Sequence, residues 1–246
     1  MVIDSHVHLR HGNAERTEYT ARQIVDSMDG AGVDKSVVFA ICTTAFDAIS
    51  RARTAHELYP DRLIPYAYAL PNAERSIIGC IEEAITGLDF KGIKIHAGEC
   101  TLAEYVTDPV LELADEHGVP CLIDFIGRHA DLERMARAFP DTPIIVAHMG
   151  RYLCTDRGLI DRFLGIAETY GNVHMDISGV VLIWKIREVV ERLGPERIIW
   201  GTDGPYPTPD LATYITTDLA KVRASGICGP ELSAILGGNI ARLLAL

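Results

Sequence analysis

The sequence predicts an α/β protein, a single (β/α)8 TIM barrel with parallel strands that spans residues 1–246. Three observations lead there. Short apolar runs alternate with helix-period segments eight times along the chain. The runs are apolar on both faces, as strands of a parallel sheet covered on both sides must be. The length of 246 residues matches the roughly 250 that eight such units require. An open doubly wound sheet would need fewer strands and a glycine-rich phosphate turn after the first one. Here that turn is occupied by His6-Val7-His8.

The first strand is Val2 to Leu9, and Arg10 to Arg16 reads as a polar loop. Tyr19 to Ala31 has helical spacing with a stop at Gly30 and Gly32, and Ser36 to Ala40 is the second strand. Phe46 to Leu58 is a helix ended by Pro60. Leu63 to Ala69 is a weaker strand, because Pro65 removes a ladder donor. Asn72 is placed to cap a helix running to Thr86. Gly92 to His96 is strand four, and Asp108-Pro109 opens a helix ending at His117-Gly118. Pro120–Phe125, Pro143–His148, Val173–Ile177 and Arg197–Asp203 are strands five to eight. Helices near 130–139, 158–170 and 184–193 separate them, and segments 211–224 and 240–246 close the chain. No linker or low-complexity tract interrupts the pattern.

Composition excludes several functions. A net charge of -11 opposes sequence-independent binding to nucleic acid or anionic membranes. No uncharged apolar run reaches the ~18–20 residues of a membrane span. The six cysteines show no Cys-x-x-Cys spacing, which fits a reducing cytoplasm better than a zinc ribbon or disulfide framework. The chain opens directly into a strand without a leader-like apolar region, so a cytoplasmic location is expected. A small-molecule substrate is the expected partner, with a homodimer as one option for assembly.

Barrel enzymes act at the C-terminal ends of their strands, and ligand-type residues collect there. His6 and His8 follow strand one on a shared face, with Asp4 expected below them. His96 ends strand four, Asp124 lies near the end of five, His148 ends six and Asp203 ends eight. All six are types that bind divalent metals. His174 opens strand seven and reads as structural.

Several segments resemble one known family. They are Asp4-Ser5-His6-Val7-His8, Gly92-Ile93-Lys94-Ile95-His96, Ala147-His148-Met149-Gly150, Met175-Asp176-Ile177-Ser178-Gly179 and Trp200-Gly201-Thr202-Asp203-Gly204-Pro205. Together with the closing Ile235 to Leu244, they resemble the amidohydrolase superfamily, in its amidohydrolase-related branch of hydrolases, decarboxylases, hydratases and lactonases. The resemblance implies a divalent metal, Zn2+ or alternatively Mn2+, held by His6, His8 and Asp203, with Asp124 or His148 completing the shell. It implies that Asp203 takes a proton from the attacking water and that His148 polarises the reacting group. Asp124 stands where relatives carry a ligand histidine, so a weak, shifted or absent metal stays open. Lys94 is a candidate bridging residue if carbamylated.

The leading expectation is metal-assisted hydrolysis of an amide, ester or lactone bond in a small carboxylated substrate. Its rival is a metal-dependent decarboxylase or hydratase, supported by loop cations Arg10, Arg128 and Arg151 suited to carboxylates. His96 and Lys94 join these three as expected substrate-binding residues. A barrel that binds metal or ligand without catalysis is the third reading.

Overall fold

The computed structural model describes residues 1–72 and 76–246. Eight strands, β1 (Ile3–Arg10), β2 (Lys35–Ala40), β3 (Leu63–Tyr68), β4 (Gly92–His96), β5 (Cys121–Asp124), β6 (Ile144–Val146), β7 (Val173–Asp176) and β8 (Ile198–Ile199), pair in parallel in chain order. Closure is carried by backbone bonds between β1 and the chain after β8. Ser5 N–H donates to the Trp200 carbonyl at 3.2 Å, Asp203 N–H to that of His6 at 2.9 Å, and His8 N–H to that of Gly204 at 2.7 Å.

Helices α1 (Ala21–Ala31), α2 (Ala45–Leu58), α3 (Ile78–Gly87), α4 (Glu104–His117), α5 (His129–Ala138), α6 (Arg157–Thr169), α7 (Ile183–Leu193) and α8 (Leu211–Ala224) follow the strands in turn. Short α9 (Gly229–Ser233) and α10 (Asn239–Leu243) end the chain. Local chemistry sets the boundaries. Thr20 and Gln23 form a reciprocal capping box at the start of α1, and Gly32, at φ 72°, ends that helix in the left-handed region. The helix then buries Ile24, Val25 and Met28 against the barrel.

Inside the barrel, Ile3, Val37, Phe39, Ile64, Tyr66, Leu122, Ile145 and Ile199 form the apolar filling, and Ile240 and Leu244 pack onto it from the C-terminal segment. Gly92 makes room for this layer, since a Cβ there would stand 2.4 Å from the Tyr66 ring. Asn239 ties the closing segment down by donating to the carbonyls of Pro195 and Ile198, both at 2.7 Å. No helix among the described residues is long and apolar enough to cross a membrane.

Several expectations change in detail. The helix expected from an Asn72 cap is seen from Ile78, and residues 73–75 lie outside the described ones. Pro109 lies within α4, which starts at Glu104. Pro109 has no N–H to offer the carbonyl of Tyr105 one turn earlier, and Tyr105 is 82% exposed. Arg10 is the last residue of β1 and pairs with Ala40, so it is not a loop cation. A register shift between Asp4 and Val7 reverses the alternation of β1. Ile3 therefore joins the barrel interior, whereas Asp4 lies with Val7, Ile24 and Met28 on the helix side. The face shared by Asp4, His6 and His8 does not exist.

Candidate active site

His6 and His8 point from β1 into the mouth of the barrel, where Asp203 meets both. Asp203 Oδ1 lies 3.1 Å from His6 Nε2 and 3.0 Å from His8 Nε2, and the three donor atoms lie within 4.8 Å of one another. A tetrahedral ion with bonds of roughly 2.0–2.1 Å separates its ligands by roughly 3.3 Å, so the triad has the span of one ligand set. Asp203 reaches it from outside regular structure. β8 ends at Ile199, and Asp203 adopts φ 61°, which its bond to the His6 carbonyl maintains. A non-glycine residue in this region is strained, and such strain gathers at functional sites.

Asp176, at the end of β7, lies behind the triad. His6 Nδ1 is 3.0 Å from its Oδ2, both side chains being fully buried. The same carboxylate accepts from the backbone N–H groups of His148 and Ser178 and from the Ser178 hydroxyl. Because a carboxylate only accepts, the His6 proton belongs on Nδ1 and the Nε2 lone pair faces Asp203. That Nε2 lies 3.2 Å from Lys94 Nζ and 3.1 Å from Asp203 Oδ1, so a cation at the triad would compete with the lysine for its lone pair. His6, His148 and Asp176 form a second cluster of ligand types, but the Ser178 hydroxyl already bonds within it.

Asp124, His148, His96 and Lys94 form the next layer. Asp124 Oδ2 lies 3.6 Å from His148 Nε2 and 3.4 Å from His96 Nε2. His148 Nε2 is 3.8 Å from Asp203 Oδ1. His148 is not a strand end: β6 stops at Val146, and a 3-10 turn with His148 at φ 58° swings the ring inward. Lys94 is fully buried beneath the triad, its Nζ 3.2 Å from His6 Nε2.

Electrostatics draws positive charge into the site. Burial alone would raise all three carboxylates, yet their neighbours outweigh it. His148, His6 and His8 hold Asp203 well below the usual range. His148, Lys94 and His96 do the same for Asp124, and His6 and His148 bring Asp176 to about 2. Burial opposes charge on His148, but Asp203, Asp124 and Asp176 raise it to about 9. Burial lowers Lys94, with the same three aspartates opposing. A divalent cation at the triad would meet the demand that these carboxylates create.

A cavity of about 180 Å³ opens above the triad, walled by His8, His11, Ile41, His96, Asp124, His148, Tyr152, Asp203 and Tyr206. The three expected arginines are not among its walls. Arg10 faces Glu18 at 3.9 Å, Arg128 pairs with Asp131 in the first turn of α5, and Arg151 is exposed. Lys94 is likewise below the wall, against His6. Of the expected substrate contacts, only His96 lines the cavity.

Sequence reasoning missed Asp176, His11, Tyr152 and Tyr206. Tyr206 donates to Asp203 Oδ2 at 3.2 Å, and His11 stacks on His8 at 4.6 Å while bonding to the Pro205 carbonyl. Asp176 could have been found by the criterion that found Asp203, a carboxylate at a strand end. Tyr206 and Tyr152 carried no such signal, because loops bring them in.

Comparison with known proteins agrees with this architecture. The chain covers 100% of itself and 99% of a probable 2-pyrone-4,6-dicarboxylic acid hydrolase from Acinetobacter baumannii, at 16% identity and a TM-score of 0.78. With an amidohydrolase from Burkholderia multivorans solved with bound zinc, the values are 100%, 99%, 15% and 0.77. With 5-carboxyvanillate decarboxylase from Sphingomonas paucimobilis they are 100%, 99%, 18% and 0.74. Identities this low establish the shared barrel alone. A comparison with curated protein sequences finds no match. The family model described as Amidohydrolase matches residues 3–246, nearly the whole chain, and the protein therefore belongs to the amidohydrolase family.

Proposed function

We propose that this protein is a metal-dependent hydrolase that cleaves an amide, ester or lactone bond of a small molecule. The observation carrying this reading is the convergence of His6 Nε2, His8 Nε2 and Asp203 Oδ1 within 4.8 Å, backed by an Asp176 that fixes the His6 tautomer. These three residues would hold the ion, with His148 Nε2 or Asp124 Oδ2 near enough to complete its shell. Zn2+ suits two imidazoles and a carboxylate best, and Mn2+ is the alternative. Once bound, the ion supplies Lewis-acid polarisation of the carbonyl and lowers the pKa of a water molecule.

The chain's own residues do the rest. Tyr206 holds Asp203 Oδ2 at 3.2 Å, so the carboxylate keeps one oxygen toward the histidines and the other toward the cavity. Asp203 takes the proton of the attacking water and delivers it to the leaving group. His11, Ile41, Tyr152 and Tyr206 line a space of about 180 Å³, enough for a compact substrate. Among the described residues no arginine lines the cavity, so none of them offers a bidentate carboxylate anchor at the reacting centre. This favours hydrolysis over decarboxylation. The test is turnover of a lactone and ester panel set against carboxylated dienes and phenols. Turnover confined to the second panel would replace the hydrolase reading with a lyase.

A further inference from the structure

Of the described rings that line the cavity, Tyr152 alone is exposed, at 37%. His8, His11 and His148 are buried, and Tyr206 is tied to Asp203. The loop after β6 carries Tyr152 to this position through left-handed residues at His148, Met149, Gly150 and Leu153. The Leu153 N–H donates to the Gly179 carbonyl at 3.3 Å, which latches this loop to the one after β7. The Tyr152 ring then meets the His148 ring edge-on, with centroids 5.1 Å apart. Gly179 makes the seat. A Cβ at that position would stand 2.4 Å from Tyr152 Cδ2 and 2.5 Å from Cε2, and its φ of 60° suits glycine.

We propose that Tyr152 is the specificity-determining wall of the cavity and that Gly179 is the positioning residue that seats it. Together they confine the enzyme to substrates that are compact on the side of the β6 and β7 loops. The substrate class rests on the hydrolase reading: a small lactone, or a short-chain ester or amide without bulk on the Tyr152 side of its carbonyl. The space of about 180 Å³ is below the roughly 300–1,000 Å³ of sites for drug-sized ligands. Its floor is fixed, since Asp124, His148 and Asp203 are buried against one another. Ile41 and His11, 1% and 4% exposed, are backed by protein, and truncating either would leave an internal void. Truncating Tyr152 has a different result. The ring stands between the reacting centre and solvent, so its loss opens the cavity on that side, and a bulkier acyl group gains room.

The wall can be tested without turnover. Zinc-loaded protein is titrated calorimetrically with acetohydroxamate and with 2-naphthohydroxamate, which chelate zinc through the same two oxygens and differ in bulk. Tyr152→Ala should lower the ratio of the naphthyl Kd to the acetyl Kd by about tenfold or more, and Tyr152→Phe should keep the wild-type ratio. Because the probes share their zinc contacts, a general loosening of the site moves both alike and leaves the ratio unchanged. An equal ratio in wild type and Tyr152→Ala overturns the proposal, as does a Tyr152→Phe that shifts it as far as Tyr152→Ala. Gly179→Ala should shift the ratio by itself but not in the Tyr152→Ala background, where no ring is left to displace. A shift of the same size in both backgrounds, or in neither, removes the positioning role. Binding of neither probe by wild type or variant sinks the metal reading and the proposal with it. Hydrolysis of acetyl and naphthoyl esters supplies the second arm, with kcat/KM shifting in the same sense. Turnover of no ester or lactone sinks the hydrolase reading and the substrate class, whereas the hydroxamate ratios still decide the wall.

Discussion

Asp176→Asn tests whether the carboxylate behind His6 makes the triad a metal site. The substitution keeps shape and volume but replaces one acceptor oxygen by an NH2 group. Four donors meet this carboxylate in the native protein: His6 Nδ1, the His148 and Ser178 backbone N–H groups and the Ser178 hydroxyl. If the amide NH2 faces His6, the imidazole must move its proton to Nε2, the atom pointed at Asp203. If the amide oxygen faces His6, a hydrogen bond to a charged acceptor, worth about 1.5–3 kcal/mol, becomes a neutral one of about 1. A loss of 1.4 kcal/mol is tenfold in affinity, so the weakened hydrogen bond alone corresponds to about 2–30-fold. Carboxylates behind ligand histidines carry about 10–100-fold, and metal binding should weaken by about tenfold or more. The assay is competition for Zn2+ against a chelator of known affinity, with thermal unfolding of the metal-free protein as a control for folding. An affinity equal to wild type in a folded variant would refute the reasoning.

Other perturbations have defined outcomes. Asp203→Asn keeps one acceptor for Tyr206 but removes the base, and kcat should fall by about 10²–10⁴-fold, as steady-state turnover on an active ester or lactone would show. Burial, helped by Arg197 and Arg242, depresses His174 from 6.5 to about 4. The unfolded chain thus binds a proton that the folded one refuses, so stability is intact above pH 6.5. It declines as pH falls toward 4, by about 3 kcal/mol at 1.36 kcal/mol per unit. Denaturant melts of wild type and His174→Leu across this window check the point, because only the wild type should show the histidine's share of the slope. Asn239→Ala strands two backbone carbonyls and should cost about 2–4 kcal/mol. In a chain of this size that lowers Tm by about 5–15 °C, and an unchanged Tm would show that the closing segment is held by other contacts.

The alternation of apolar strands and amphipathic helices made the barrel legible, because burial on both faces leaves a continuous Val and Ile pattern that few other folds produce. The triad was legible for the same reason: strand-end positions fix which face of the barrel a side chain reaches. Where backbone departs from regular strand, the pattern failed. The bulge at Asp4 turned that residue outward, and the left-handed turns at His148 and Asp203 set ring directions that no periodicity reports. Loop cations were the weakest inference. Arg10 faces Glu18 across the chain, a pairing that depends on three-dimensional contacts, whereas Arg128 pairs with Asp131 three residues on, a local spacing that the sequence already contained. The ring contacts of His96 and His148 were invisible to sequence, since the Nδ1 of each meets a backbone group from a neighbouring turn.

The central claim is that His6, His8 and Asp203 hold one divalent ion. Its most direct test is metal content by mass spectrometry after Zn2+ loading and exhaustive dialysis, for wild type and for His6→Ala combined with His8→Ala. The account predicts one ion per wild-type chain and none above background in the double variant, which should still fold. A wild type that retains no metal, or a double variant that retains it in full, would contradict the account.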